Sequence, residues 1–436
     1  VESGPAGGAV FAADIAARHG LDKVLSFDMG GTTAKICLIK AQTPKTARVF
    51  EVARSYRFKK GSGMPISIPV IDMVEIGAGG GSLAHVDALN QIRVGPESAG
   101  SEPGPACYGR GGDRPAVTDA DLVLGKLDPA HFAGGSIPLY PENSQAALTT
   151  HLADRLDMDA TEAAFGLAEV VDENMANAAR VHAVENGEDL STYTMIAFGG
   201  AAPLHAARLC EKLGIDRCLV PVGAGVGSAI GFLRAPFSFE ANRSVFTKMS
   251  GFDPARVRAL FAEMEEEARS FVRSCDAEAE ILTDYKIYMR YAGQGWEIPV
   301  PLTSEDAASP DADSFLKRFE QDYTRLFGRS VDGMEAEITV WSVNAYTPTP
   351  PVTPIGSAGE ASVPAPQGLR DLFDPALGQR TSADIHPRAD LPTGATVQGP
   401  AVITEDETTI VLPTSRLALA QPDGCIDIRV KEPRHD

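Results

Sequence analysis

Cysteine is scarce in this chain, with six spread through 436 residues and no two at a metal-ligand spacing. That excludes a zinc finger, a disulfide framework and a Cys-X-X-Cys redox motif, and the thiols read as reduced, which points to the cytoplasm. Basic charge is equally short: 39 Lys and Arg stand against 59 Asp and Glu, a net charge of −20. Lys59-Lys60 is the densest basic spot, so a phosphate backbone finds no complementary surface and nucleic acid is not an expected partner. Long apolar runs are also missing. The longest, residues 219–233, is interrupted by Pro221 and four glycines, so no membrane helix is expected.

Glycine, by contrast, is clustered. Two apolar runs, residues 24–27 and 36–39, flank Asp28-Met29-Gly30-Gly31-Thr32-Thr33-Ala34-Lys35. This pattern predicts two buried strands joined by a tight turn, with glycine supplying positive φ or close approach to a ligand. Asp28 at the end of the first strand can hold a hydrated cation, and the backbone and hydroxyls of Gly30, Gly31, Thr32 and Thr33 can bond phosphate oxygens. An ordinary hairpin with a polar tip fits these eight residues equally well. Lys35 is a weaker candidate for charge, since the strand can point it outward.

A second cluster, Glu75-Ile76-Gly77-Ala78-Gly79-Gly80-Gly81-Ser82, has four glycines in five positions. Such density costs folding entropy without adding core, which favours backbone closely approached by a ligand or another segment over a flexible loop. Glu75 is its polar candidate, with Gly79 and Gly80 beside it. His85 and Asp87 lack a third ligand at recognisable spacing, and Cys107 has no legible His–Asp partners, so neither is read as a reactive site. Thr118 or Asp119 is expected to cap a short helix, with a carboxylate near a nucleotide as the sharper role for Asp119. Phe198-Gly199-Gly200-Ala201-Ala202-Pro203 reads as a strand entering a Gly-Gly turn and then a helix, and His205 near that helix start reads first as a packing histidine.

Helical spacing of apolar residues runs from Thr161 to Gly187, and again through Val257, Leu260, Phe261, Met264, Ala268 and Val272. Residues 43–58 alternate as strands expected to continue the sheet of the hairpin. Residues 285–300 predict a strand hairpin, and residues 347–368, with six prolines, predict an extended linker. Short strands follow in what is expected to be a small terminal β module.

The order of these motifs resembles the actin, sugar-kinase and heat-shock-chaperone ATPase superfamily: connecting helix, phosphate loop, adenosine loop, second connecting helix. More narrowly, Ser3-Gly4-Pro5-Ala6-Gly7-Gly8, Phe27-Asp28-Met29-Gly30-Gly31-Thr32-Thr33, the Glu75–Ser82 stretch and Gly104-Pro105-Ala106-Cys107-Tyr108-Gly109 resemble the A subunit of the hydantoinase/oxoprolinase family. Val117-Thr118-Asp119-Ala120, Phe198-Gly199-Gly200 and Pro203-Leu204-His205-Ala206 belong with them. One departure is Ala202, where the family usually carries glycine in the adenosine loop.

The resemblance implies an α/β actin-like ATPase domain, incomplete at its N-terminus, over residues 1–240, followed by an α+β C-terminal region over 241–436. It implies that a first phosphate loop lies upstream, so residues 1–436 alone are expected to show little or no ATP-dependent hydrolase activity. ATP and Mg²⁺ are the implied cofactors, with Asp28 catalytic and holding the metal through water, Gly30, Gly31, Thr32, Thr33 and Lys35 at the phosphates, and Gly199 and Gly200 at the adenosine. The implied activity is phosphorylation and opening of a cyclic amide such as a hydantoin or 5-oxoproline, with a hydantoinase B-type partner subunit and an oligomeric assembly. Two alternatives stand beside it: an A-type subunit of an ATP-dependent ketone carboxylase, and a non-catalytic, nucleotide-responsive assembly subunit.

Overall fold

A computed structural model describes residues 3–52, 62–331, 333–349, 351–359 and 361–431; the basic pair Lys59-Lys60 lies outside them. The chain forms a mixed α/β fold of two compact units, one built from residues 1–234 and 352–436 and the other from residues 235–351.

The first unit is organised on a nine-stranded sheet. Its strands run in the order Thr396–Gln398, Arg416–Ala420, Ile426–Val430, Arg217–Val220, Thr194–Phe198, Lys23–Met29, Ala34–Lys40 and Thr43–Pro44, and Met73–Ile76 also pairs with Ala34–Lys40. The three central strands, Arg217–Val220, Thr194–Phe198 and Lys23–Met29, are parallel. They are buried almost throughout, which explains why they read as continuous apolar runs.

Helices pack on this sheet through small residues. The helix Ala160–Glu185 is started by Asp159, whose carboxylate accepts from Thr161 N and Glu162 N, while Glu162 reaches back to Asp159 N. It buries Ala163, Ala164, Leu167, Ala168, Val171 and Met175 along one stripe. The helices Ser3–Arg18 and Gly227–Arg234 cross with almost no space between backbones: a Cβ on Gly231 would sit 1.8 Å from Gly7 O. Phe11 closes the gap beside them, edge-on to Phe198 at 5.6 Å.

Two expectations are corrected. Of residues 43–58, Thr43–Pro44 does continue the hairpin's sheet, Thr46–Val52 instead pairs with Met64–Ile71 in a separate ribbon, and residues 53–58 lie outside the described residues. The terminal strands do not all form one separate module either: Thr396–Gln398, Arg416–Ala420 and Ile426–Val430 join the first unit's nine-stranded sheet. Ile426–Val430 pairs antiparallel with Arg217–Val220 and extends the first unit's sheet, while Ala401–Thr404 and Thr409–Leu412 join a four-stranded sheet with Gly368–Asp374 and Gln379–Pro387. Alternation identifies a strand but does not say which strand lies beside it.

The second unit has its own sheet, ordered Ser238–Arg243, Ala336–Tyr346, Leu282–Tyr291 and Ile298–Leu302, with Thr247–Lys248 also on Ala336–Tyr346. The helix Pro254–Cys275 covers it, burying Val257, Phe261, Met264, Ala268 and Val272. Phe261 packs edge-on against Trp341 and Tyr285, and Trp341 donates its indole N–H to Val245 O at 2.8 Å. No described helix is long and apolar enough to cross a membrane.

Candidate functional site

The strands Lys23–Met29 and Ala34–Lys40 form the expected hairpin, in register Asp28↔Lys35 and Met29↔Ala34. Its tip is residues 30–33, closed by Gly30 N donating to Thr33 O at 3.2 Å. Neither Gly30 nor Gly31 has a positive φ, and a Cβ on either would meet nothing within 4 Å. The fold does not require glycine at these two positions. Open space at an exposed turn of backbone amides is what a closely bound anion would use.

Two other turns bond to this hairpin, and a third joins them through one of the two. Gly80 N donates to Gly30 O at 3.0 Å and Gly81 N to Gly31 O at 2.6 Å, so the second glycine cluster is zipped to the hairpin. A Cβ on Gly79 would lie 2.6 Å from Thr32 N, so there the glycine is demanded by packing. Ala201 N donates to Met29 O at 3.0 Å, and Gly199, at φ +95°, would place a Cβ 2.4 Å from Met29 O and 2.7 Å from Asp28 Oδ1. Gly199 N in turn donates to Ala224 O at 2.7 Å, joining this turn to the segment that leads into the helix Gly227–Arg234.

Asp28 stands where these turns meet. Ser228 donates its hydroxyl to Asp28 Oδ2 at 3.1 Å. Burial raises the Asp28 carboxyl above the ordinary carboxylate range, against the opposing pull of Lys35 and the Ser228 hydroxyl. Lys35 donates to Thr33 Oγ1 at 2.8 Å and lies across from the exposed Glu75 in the register between Ala34–Lys40 and Met73–Ile76. The residues present fit a hydrated divalent cation and phosphates: a half-buried carboxylate with a hydroxyl beside it, two unobstructed glycines, two threonines and one ammonium.

Of the residues singled out from sequence, Asp28, Gly30, Gly31, Thr32, Thr33, Lys35, Glu75, Gly79, Gly80, Gly199 and Gly200 thus belong to one neighbourhood. Asp119 and His205 do not share it through any direct contact. Asp119 is fully buried and saturated, accepting from Ala106 N, Cys107 N, Ala116 N and Ser144 Oγ at 2.6–3.1 Å. It caps its helix from the third position, on Ala116, and fastens the 104–112 loop. His205 is buried between two carboxylates, Nδ1 at 2.8 Å from Asp172 and Nε2 at 3.2 Å from Asp121, and Asp121 accepts from Lys126 at 2.8 Å. The Asp121 and Asp172 charges overcome burial and raise the imidazole to about 9, while Lys126 opposes them. A cavity of about 30 Å³, the size of one water, adjoins this group beside Lys126 and Asp172. An open depression of about 460 Å³ beside residues 106–113 has no residue in common with the hairpin tip.

Two residues, Ser228 and Thr408, went unmarked in the sequence, and Thr118 was read there only as a helix cap. Ser228 reaches Asp28 across 200 residues. Thr118, rather than its neighbour Asp119, bonds the second glycine cluster, with both its N–H and its hydroxyl donating to Gly80 O at 2.8 Å. Thr408 donates to Gly200 O at 2.9 Å from a hairpin of the last segment. Only Ser228, inside a glycine-rich helix start, carried a signal that could have pointed to it.

A family model described as hydantoinase/oxoprolinase matches residues 1–241, and one described as hydantoinase/oxoprolinase C-terminal domain matches residues 253–421. The caprolactamase subunit alpha of Pseudomonas jessenii is 30% identical over 98% of this chain and 61% of its own length. The acetophenone carboxylase gamma subunit of Aromatoleum aromaticum is 30% identical over 94% of this chain and 57% of its own. The crystal structure of the ATP-dependent caprolactamase from Pseudomonas jessenii superposes with a TM-score of 0.75 at 27% identity, covering 99% of this chain and 61% of that one. The chain therefore spans about 60% of the length of these relatives. Motifs, fold and both family models agree: this chain belongs to the hydantoinase/oxoprolinase family.

Proposed function

We propose that the hairpin tip is the phosphate-binding loop of an actin-like ATPase, and that the protein uses ATP and Mg²⁺ to activate the carbonyl oxygen of a cyclic amide. The observation that carries this reading is a set of four glycine-containing turns joined by backbone hydrogen bonds around the half-buried Asp28, with unobstructed backbone at Gly30 and Gly31. Lactam resonance makes a ring carbonyl a poor electrophile, and phosphorylating its oxygen turns that oxygen into a leaving group. What the protein supplies is position and neutralised charge.

In this reading Asp28 organises Mg²⁺ through water, with Ser228 fixing the orientation of its carboxylate. Backbone N–H groups and hydroxyls of residues 30–33, with Lys35 nearby, take the phosphates. Gly199 and Gly200 let the backbone approach the adenosine. A B-type partner subunit completes ring opening, the assembly is oligomeric and its place is the cytoplasm. The names of the two relatives, both designated as subunits, support a multi-subunit enzyme.

The acetophenone carboxylase relative favours a second reading, in which the activated oxygen belongs to an enolisable ketone and the acceptor is bicarbonate. One experiment separates the readings. In the full-length protein with its partner, Asp28→Asn should lower ATP turnover by about two to four powers of ten, the scale of losing a general acid or base. The parent's turnover should respond to cyclic amides without bicarbonate. Parent-like turnover in the variant removes the phosphate-loop reading, and strict dependence on bicarbonate and a ketone moves the assignment to the carboxylase.

A further inference from the structure

Outside this site, one group of described side chains brings together three donor types that bind transition metals: His19, Asp423 and Cys425. His19 directly follows the helix Ser3–Arg18. Asp423 and Cys425 flank Gly424 in the tight turn between the strands Arg416–Ala420 and Ile426–Val430. His19 Nε2 lies 3.0 Å and Cys425 Sγ 3.2 Å from the same oxygen, Asp423 Oδ2, and all three donor atoms lie within 4.8 Å of one another. In a tetrahedral zinc site with bonds of about 2.0–2.3 Å, neighbouring donors stand about 3.3–3.7 Å apart. The two short edges need widen by only a few tenths of an ångström to admit an ion.

The turn that carries two of the donors is built independently of them. Gly424 N donates to Gln421 O at 2.9 Å and Gln421 N to Cys425 O at 2.8 Å. Arg388 donates from Nε and Nη2 to Gly424 O at 3.2 and 2.7 Å, and its own charge is met by Glu405. Cys425 N donates to Asp423 Oδ1 at 3.1 Å, which turns the other carboxylate oxygen towards His19 and the thiol. The His19 ring is fully shielded and Cys425 is 1% exposed, while the Asp423 carboxylate keeps 14% exposure, a route in from solvent. A carboxylate–imidazole hydrogen bond alone would explain His19 and Asp423. It leaves unexplained why a thiol, a weak donor, should be aimed at the same oxygen.

We propose that His19 Nε2, Asp423 Oδ2 and Cys425 Sγ bind one Zn²⁺, with a fourth position open to water. The nitrogen, oxygen and sulfur set suits zinc over magnesium or calcium, which take oxygen ligands. On binding, Cys425 gives up its thiol proton to solvent as the Zn–S bond forms, and no electron moves. The ion joins the end of the first helix to a turn 404 residues away. The site is separate from the phosphate loop.

The test uses the full chain after dialysis against chelator, titrated with Zn²⁺ and then with Co²⁺ as a visible probe. One equivalent of Zn²⁺ should be retained through gel filtration, and Co²⁺ should give a thiolate charge-transfer band. Cys425→Ser should lose that band, and His19→Gln should weaken Zn²⁺ binding by more than the roughly 10–100-fold cost of losing an outer-sphere partner. Failure of the parent to hold Zn²⁺, or absence of the thiolate band in the parent, overturns the proposal. So does an unchanged Co²⁺ spectrum in Cys425→Ser, which would put the metal on another thiol. If Cys425→Ser fails to fold, the isosteric Asp423→Asn replaces it, and unaltered Zn²⁺ binding there is equally fatal. ATP turnover is not the readout, so the outcome leaves the phosphate-loop assignment to its own test.

Discussion

At the scale of single residues, the site sets stability against charge. Burial raises the Asp28 carboxyl, so the folded chain takes up a proton there at a higher pH than the unfolded chain does. Above that window the ionised group weakens the fold, and the effect does not fade as pH rises further. Asp28→Asn should therefore melt at a higher temperature than the parent at neutral pH, and calorimetry showing a lower one would contradict the burial argument. The glycines divide by the same logic. Gly79→Ala forces a Cβ to 2.6 Å from Thr32 N and should cost about 1–3 kcal/mol, whereas Gly30→Ala meets nothing and should stay within about 0.5 kcal/mol of the parent. If Gly30→Ala also leaves nucleotide affinity unchanged in the full-length protein, the open space at the tip is incidental. Asp28 was legible from sequence because a carboxylate between two apolar runs must find solvent or a partner. Ser228 was not, since its role depends on two segments 200 residues apart meeting. Asp119 as a helix cap and His205 as a packing histidine were legible from their places at helix starts, whereas motif membership suggested a role near the nucleotide, and a motif does not say whether a carboxylate or imidazole faces a cleft or the interior.

At the scale of elements, three helices are tied together by charge rather than by apolar packing alone. Asp121 of Val117–Val123, Asp172 of Ala160–Glu185 and His205 of Ala202–Leu213 form one buried chain, and Lys126 completes it. His205 rises from 6.5 to about 9 in the fold, so the folded chain keeps a proton that the unfolded chain releases across this range. The stability it contributes is whole below pH 6.5 and is lost as pH climbs to about 9. Urea unfolding of the parent should weaken between those two values. His205→Gln should be less stable at pH 6.5 and nearly flat across the window; an equal slope in both proteins would assign the titration elsewhere. The helices themselves were readable in the sequence, Ala160–Glu185 from its small-residue stripe and Pro254–Cys275 from its apolar one, because helical period is a local property. The pairing of Thr46–Val52 was not, because its partner is chosen by tertiary packing.

At the scale of the whole molecule, residues 235–351 carry a complete core of their own, and both tryptophans of the chain fall in this segment, Trp341 buried in the core and Trp296 exposed. Expressed alone, this segment should unfold cooperatively and show the emission of a buried Trp341; a broad, non-cooperative transition would mean that it depends on the remainder. The first unit is different, because the sequence of residues 235–351 falls between two parts of one sheet. Arg217–Val220 stays an unpaired edge until Ile426–Val430 lies beside it. On the ribosome this becomes a matter of timing. The inserted unit has every strand partner within its own 117-residue span and can close as soon as it emerges. The older sheet must wait for about 200 further residues, roughly 10–40 seconds of synthesis, with a bare strand edge exposed. Newly made chains should accordingly be most vulnerable to aggregation and chaperone capture during that interval, and slowing translation after residue 351 should lower the yield of folded protein more than slowing it before residue 217.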